Sequence, residues 1–496
     1  MIGLQRVSKT FGEKKILSDI SVSLNSGEVI ALVGENGAGK TTLLKLITGE
    51  LKPDSGQVLN DNEIVGYLPQ ETIFGDSIEN CFEKVTPVWQ IERALELVGL
   101  KGKNLETKVT DLSGGQKTRL ALGRILAHDP QPTVLLLDEP TNNIDSEGRN
   151  WLIEFIRSFA GGVLLVSHDR HFINQVASKV IELDNGQLHQ YGGDYDFYRA
   201  QKQVEEEARV KKYEETQVEK KRLEKIRQDK VGFMDKVGTE SFDKIKHESK
   251  VKFNAKKNTT EKNLGKQIGA LDSRLGQLEE AERPEVAPNY KIYLTGETPS
   301  PKLIVRAQEI SGAYGLPLFQ NLNFEIRGNE HVRVVGSNGS GKSTLLKMIA
   351  GILEPDAGTI TIGVGVRVGY YSQEISDINM ELTTLANLRE VTGDQTLIHR
   401  QAKYLGLIAD ELHKKPAELS RGQLTKLAIA KLILNDNQIL ILDEPTNHLD
   451  IASRERIEAA LQHYHGAILV ASHDEYFLEQ IKIDKEIPVL GQRGTI

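Results

Sequence analysis

A chain that repeats itself is constrained before any single residue is interpreted, and in this one four motifs recur, each once, in the same order. GENGAGKT at 34–41 returns as GSNGSGKS at 336–343, and LSGGQ at 112–116 returns as LSRGQ at 419–423. VLLLDEPTNNID at 134–145 returns as ILILDEPTNHLD at 439–450, and LLVSHD at 164–169 as ILVASHD at 468–474. The spacing between copies is nearly constant, so the chain is two copies of one module, a reading that 496 residues accommodate as two or three domains.

Between the copies the composition changes. From Tyr195 to Val231 there is no Gly or Pro, and Glu, Lys, Arg and Gln dominate, all good helix formers. A thin apolar stripe runs through Val204, Ala208, Leu223 and Ile226. Further on, Leu264, Ile268, Leu271, Leu275 and Leu278 alternate steps of four and three up to Pro284, the spacing of a helix–helix seam. Two long helices folded back as an antiparallel hairpin are expected, each on the order of 50 Å long for about 35 residues. A flexible tether would be rich in Gly, Ser or Pro and would need no leucine seam. The expected boundaries are 1–193 for the first module, 194–301 for the bridge and 302–496 for the second.

Each Gly-rich octapeptide follows an apolar run, VIALVG or HVRVVG, and leads into TTLLKLI or STLLKMI. That strand–loop–helix context is what a phosphate-binding loop requires. The first loop comprises Gly34, Glu35, Asn36, Gly37, Ala38, Gly39, Lys40 and Thr41; the second comprises Gly336, Ser337, Asn338, Gly339, Ser340, Gly341, Lys342 and Ser343. The glycines let backbone N–H groups curl around phosphates, and the helix start adds its positive dipole end. Lys40 and Lys342 are expected to reach the β- and γ-phosphates of a nucleotide, with the Thr41 and Ser343 hydroxyls on Mg²⁺.

Downstream, four apolar residues precede Asp138-Glu139 and again Asp443-Glu444. Such a strand ends at the carboxyl edge of a parallel sheet, where ligands bind. The first acid suits Mg²⁺ and the second suits a general base for the attacking water. His168 and His473 recur 305 residues apart, the separation of Asp138 and Asp443, which favours a place near the γ-phosphate. Gln70 and Gln373 follow YLP and YYS in equivalent positions and suit contact with water or Mg²⁺.

Together these motifs resemble the ATP-binding cassette superfamily, with LSGGQ as the most discriminating element. The resemblance implies an α/β fold of two tandem P-loop cassettes and an ATPase activity. It also implies that ATP lies between the P-loop of one cassette and the signature of the other. One site would pair Lys40, Asp138, Glu139 and His168 with Ser420 and Gly422. The other would pair Lys342, Asp443, Glu444 and His473 with Ser113, Gly114 and Gly115; Gln116 and Gln423 complete the signatures. An aromatic stacks on adenine in the family, and Phe11 and Tyr314 stand in that position, where ordinary core packing would also use an aromatic. The second signature departs from the pattern with Arg421 in place of a glycine, so closure at the Lys40 site is expected to differ.

The chain is more specifically similar to the ABC-F subfamily, whose members join two cassettes by a basic helical hairpin and have no membrane domain. That resemblance implies ribosome association, with the hairpin entering the exit-tRNA site toward the peptidyl-transferase centre and meeting rRNA and the P-site tRNA. Lys244, Lys246, Lys250, Lys252, Lys256 and Lys257 would face RNA phosphates. Phe233, Met234, Val237 and Phe242 would either contact bases from the tip or simply close the turn. The interval from Gln70 to Ser113 is no longer than its counterpart, so an inserted arm is not expected, nor is a basic C-terminal extension. This build is more like the antibiotic-resistance members, with a housekeeping translation factor and a transporter's ATPase subunit as alternatives.

A net charge of −8 does not suggest a general nucleic-acid binder, and no DNA partner is expected. A single cysteine, Cys81, excludes an internal disulfide framework and fits a reducing compartment. No apolar run reaches the roughly 18 residues of a membrane helix, and MIGLQRVSKTFGEKK lacks the apolar core of a signal peptide. A cytoplasmic monomer whose own cassettes pair is the expectation.

Overall fold

The computed structural model describes residues 1–142, 144, 146–239, 250–279, 302–314, 316–337, 339–372, 378–435, 437–447 and 449–489. Within these stretches the side chains at 146, 237–239, 250–257, 261, 277, 279, 314 and 316 are not described. The chain forms two compact units, Met1–Tyr198 with Tyr290–Ile496, and Arg199–Asn289.

In the first cassette the main sheet has the spatial order Val65–Leu68, Val134–Asp138, Gly162–Val166, Val29–Val33, Lys179–Asp184, Gln187–Gly192. The first five strands run parallel and the last is an antiparallel edge. In the second cassette Val368–Tyr371, Ile439–Asp443, Ala467–Ala471, His331–Val335 and Lys485–Pro488 repeat the order, all parallel. The central strands read as unbroken apolar runs because both sheet faces are covered. Side chains alternate between those faces. Ala31, Val33, Leu135, Leu137, Val163 and Leu165 pack with the helix Gly114–Leu126 on one side. Ile30, Leu32, Leu136, Leu164 and Val166 pack with the helix Lys40–Ile47 on the other.

Each cassette also carries a three-stranded antiparallel sheet that the motif reading did not anticipate. It is formed by Ile2–Phe11, Lys14–Leu24 and Ser55–Asn60 in the first copy, and by Leu303–Tyr314, Leu316–Arg327 and Ala357–Ile362 in the second. Its inner face closes the core over the helix Lys40–Ile47, through Leu4, Val7, Leu17 and Ile20.

The bridge contains the helices Tyr195–Thr239 and Lys250–Glu279. They run antiparallel: Arg274 donates to Glu219, Arg227 to Asp272 and Lys230 to Gln267. Leu264, Ile268, Leu271 and Leu275 are half-buried between exposed neighbours, as the seam requires; Leu278 is half-buried too, and Leu223 is fully buried opposite. One expectation changes. Val204 and Ala208 are exposed rather than part of the stripe, because they lie before the stretch of the first helix that is cross-linked to the second. The first helix continues past Val231 to Thr239, so Phe233 and Met234 sit in its last turns; Phe233 is exposed and Met234 half-buried. Phe242, Lys244 and Lys246, and the side chains of Val237, Lys250, Lys252, Lys256 and Lys257, lie outside the described residues. No described helix is long and apolar enough to cross a membrane.

Candidate active site

Three neighbouring strands of the first sheet deliver their carboxyl ends to one place. Val29–Val33 runs into the Gly-rich loop, Val134–Asp138 ends at the paired acids, and Gly162–Val166 leads to His168. The loop turns on Gly39, at φ 110°, where an added Cβ would stand 2.6 Å from Ile16 Cγ2. Only glycine adopts that backbone without strain. The helices Lys40–Ile47 and Lys342–Ile349 have no side-chain cap, so their first N–H groups remain open to an anion. By contrast Ser113 and Ser420 cap the helices Gly114–Leu126 and Arg421–Leu434 in reciprocal pairs with Gln116 and Gln423. Arg421 stands at the first position of its helix with its side chain exposed, a place that does not require glycine.

Lys40 Nζ donates to the carbonyls of Gly34 (2.8 Å) and Glu35 (3.0 Å). Lys342 Nζ donates likewise to Gly336 (2.7 Å) and Ser337 (3.1 Å), and lies 3.4 Å from His473 Nε2. Burial lowers both ammonium pKa values, although nearby acids work against it. Thr41 Oγ1 donates to Asp138 Oδ2 at 2.8 Å, and Ser343 bonds Asp443 in the same way. Burial raises both aspartates against these bonds. Two hard oxygens side by side suit Mg²⁺, which takes one or two carboxylates and fills its shell with phosphate and water. Among the described residues no cluster of three or more His, Cys, Asp or Glu side chains offers a cage of another kind.

The two glutamates carry the strongest signature. Glu139 has φ 52° and Glu444 φ 49°, a left-handed conformation uncommon outside glycine, asparagine and aspartate. Each is pinned by its own N–H, Glu139 to the Val166 carbonyl (2.9 Å) and Glu444 to that of Ala471 (2.8 Å). Burial pushes each carboxyl up to about 7. Glu139 Oε2 accepts from the His168 amide at 3.3 Å, and Glu444 Oε2 from the His473 amide at 3.4 Å. His168 Nε2 lies 3.2 Å from Glu139 Oε1, which accepts no hydrogen bond, as His168 Nδ1 makes none. Burial, with the charges of Lys40 and Arg454, holds His168 neutral, well below its ordinary pKa. The second site is more open: the His473 side chain is 28% exposed against 10% for His168.

The remaining sequence candidates fall differently. Gln70 is exposed and makes none of the bonds that join Thr41, Asp138, Glu139 and His168. Phe11 is 48% exposed, with Lys9 Nζ 5.6 Å from its ring centre. Gln373, Asn338 and the side chain of Tyr314 lie outside the described residues. The hydrogen bonds described for the signature residues run within their own cassettes.

What crosses between cassettes is a set that the motif reading missed. The Asn36 amide donates to Asp450 Oδ2 at 3.0 Å, and Arg149 Nη2 to the His473 carbonyl at 3.1 Å. Arg170 pairs with Glu458, and the Tyr195 hydroxyl with Glu455 at 3.1 Å. Two ion pairs, Arg149–Asp169 and Arg454–Asp474, are related by the repeat offset and were findable from it. Arg170 and Glu458 break the repeat, so no internal comparison exposes them.

A family model described as ABC transporter matches residues 17–142 and 319–447, and a second of the same description matches 181–228. The chain is 32% identical to the putative ATP-binding protein YdiF of Bacillus subtilis (strain 168), covering 97% of this chain and 79% of the relative. It is also 32% identical to the ribosome protection protein VmlR of the same organism, over 97% of this chain and 85% of VmlR. Among solved structures the RNase-L Inhibitor matches with a TM-score of 0.64 at 20% identity, covering 98% of this chain and 87% of that one. At that identity the likeness speaks for the tandem-cassette fold alone.

Proposed function

The chain belongs to the ABC-F subfamily of the ATP-binding cassette family, and from that premise we propose that this ATPase works on the ribosome. Two ATP molecules would bind between the cassettes, and the helical hairpin would enter near the exit-tRNA site and reach toward the peptidyl-transferase centre. There it would protect the ribosome from antibiotics. The observation that carries the reading is the match to VmlR along 97% of this chain, hairpin included. The division into cassette 1–193, linker 194–301 and cassette 302–496 belongs to the same proposal, as does a cytoplasmic location. Phe233, Met234, Val237 and Phe242 would face tRNA or rRNA, and the lysines from Lys244 to Lys257 would face RNA phosphates.

In the first site Lys40 and the open helix start hold the phosphates, and Phe11 offers a face to adenine. Glu139 takes the proton of the attacking water, and its carboxyl, near 7, is matched to work at neutral pH. His168 orients that carboxyl through its backbone amide, with its neutral ring beside it. Ser420, Gly422 and their helix start would close over the γ-phosphate from the other cassette. Lys342, Glu444, His473, Ser113, Gly114 and Gly115 take the same parts in the second site, with Tyr314 for adenine. Thr41 and Asp138, and Ser343 and Asp443, would hold Mg²⁺, which neutralises phosphate charge when bound. Gln70 and Gln373 are proposed to complete the two sites on closure.

The test is the double variant E139Q/E444Q. It is expected to bind ATP without turnover and to cosediment with ribosomes only when ATP is present; nucleotide-independent cosedimentation sinks the ribosomal reading. Expression in a susceptible host with a panel of ribosome-targeting antibiotics separates resistance from a housekeeping role in translation. If no inhibitory concentration rises, the protection reading gives way to the housekeeping one.

A further inference from the structure

We propose that the buried Arg170–Glu458 ion pair is a positioning couple through which the second cassette sets the reactive geometry of the first site, with no repeat-related ion pair acting on the second site among the described residues. The inference rests on the site assignment above.

Arg170 is 1% exposed and Glu458 4%, both inside the unit formed by the two cassettes. The guanidinium grips the carboxylate at two points, Nη1 to Oε2 at 3.0 Å and Nη2 to Oε1. Asp474 stands 3.7 Å from Nη2, and the Tyr476 ring centre 4.3 Å from Cζ. Arg170 therefore meets three side chains of the second cassette and begins the helix Arg170–Val176, two residues after His168. Asp169 caps that helix through the Phe172 amide, so the pull on Arg170 reaches the His168 backbone, whose amide holds Glu139.

The partner helix, Ile451–Gln462, addresses the same site along one face. Asp450 at its start accepts from the P-loop amide of Asn36, Glu455 accepts from Tyr195, and Glu458 takes Arg170. Steps of three to five residues keep these groups on neighbouring lines of the helix surface. The repeat-related positions hold Glu475 and Ile153. Glu475 pairs with Arg333 of its own cassette at 2.6 Å, and Ile153 is buried in the apolar core. This ion pair is thus built once and not twice, on the side where histidine and glutamate are better buried; the second site is reached instead by Arg149, whose Nη2 donates to the His473 carbonyl, and by Arg170 at Asp474.

The experiment isolates the sites, using E444Q to report the first and E139Q the second, by single-turnover phosphate release in the full-length protein. A misplacement of about 1 Å at a reacting centre costs on the order of a hundredfold in rate. In the E444Q background R170Q and E458Q are each expected to lower the maximal rate at least about tenfold, while the half-saturating ATP concentration moves less than about threefold. In the E139Q background E458Q, which leaves Asp474 its contacts with Arg170 and Arg454, is expected to stay within about twofold. The reversed pair R170E/E458R, with an unchanged melting midpoint, is expected to recover most of the first-site rate. Equal losses in both backgrounds, no loss in the first, or no recovery in a well-folded reversed pair overturns the proposal. Residual turnover in E139Q/E444Q would instead locate the failure in the site assignment.

Discussion

Glu139 and Glu444 combine two costs that an ordinary surface acid avoids, a left-handed backbone and a carboxyl that is buried at Glu139 and half-buried at Glu444. A strained backbone of this kind costs on the order of 1–3 kcal/mol and persists where the surroundings over-determine it. Here the surroundings are the strand carbonyls and the amide of the following histidine. A general base must be ionised, so single-turnover hydrolysis should rise with pH and level off above about 7, the value to which burial pushes both groups. A flat pH–rate profile across about 3 units around neutrality counts against that role. The same shift predicts a stability effect. A carboxyl raised from 4.5 to about 7 holds its proton more tightly folded than unfolded. Its contribution is full below 4.5 and is lost as pH rises through about 7. For Glu139 the loss is on the order of 3 kcal/mol. E139Q, which cannot ionise, is therefore expected to melt higher than the parent protein near about pH 8 and equally near about pH 4 in nucleotide-free thermal scans.

At the scale of elements, what the sequence disclosed depended on whether a pattern repeats or closes on itself. The P-loops, paired acids and signature helices were legible because strand, turn and helix follow one another within a few residues, twice. The leucine seam from Leu264 to Leu278 was legible from its spacing alone. Val204 and Ala208 were misread because the period of one helix does not say how far its partner extends. The antiparallel sheets escaped notice because strands with local bulges, as between Leu4 and Val7, break simple alternation. Arg170 and Glu458 lie outside every repeated pattern. Beyond Tyr195 and Tyr198 at its base, the hairpin's only fully buried described side chain is Leu223, at 4% exposure. Burying such a leucine is worth about 1.5–3 kcal/mol. L223D should therefore diminish the far-ultraviolet helical signal and loosen hydrogen exchange across 219–230. Ribosome-free ATP turnover should stay within about twofold, since no group of either nucleotide site lies in the hairpin.

In the whole molecule, the two cassettes meet through polar contacts that are largely withdrawn from solvent, from Asn36–Asp450 to Tyr195–Glu455. A ligand that binds only the joined arrangement stabilises it by about 2.7 kcal/mol per site at a hundredfold excess over its Kd. Mg-ATP is accordingly expected to raise the melting temperature of E139Q/E444Q, and to do so less when Asp450 is changed to alanine. An unshifted calorimetric transition at saturating Mg-ATP would remove the case for closure by nucleotide. The unrepeated ion pair also bears on which halves can recognise each other. Were two first cassettes to face one another, each Arg170 would meet an isoleucine, the counterpart of Glu458. Were two second cassettes to do so, Glu458 would meet Glu475, one carboxylate against another. Stranding one buried charge costs about 3–5 kcal/mol, so self-matching is disfavoured twice over and only unlike halves make a neutral lock. Duplication supplied two interchangeable faces, and this one pair of side chains gives them a plus and a minus pole.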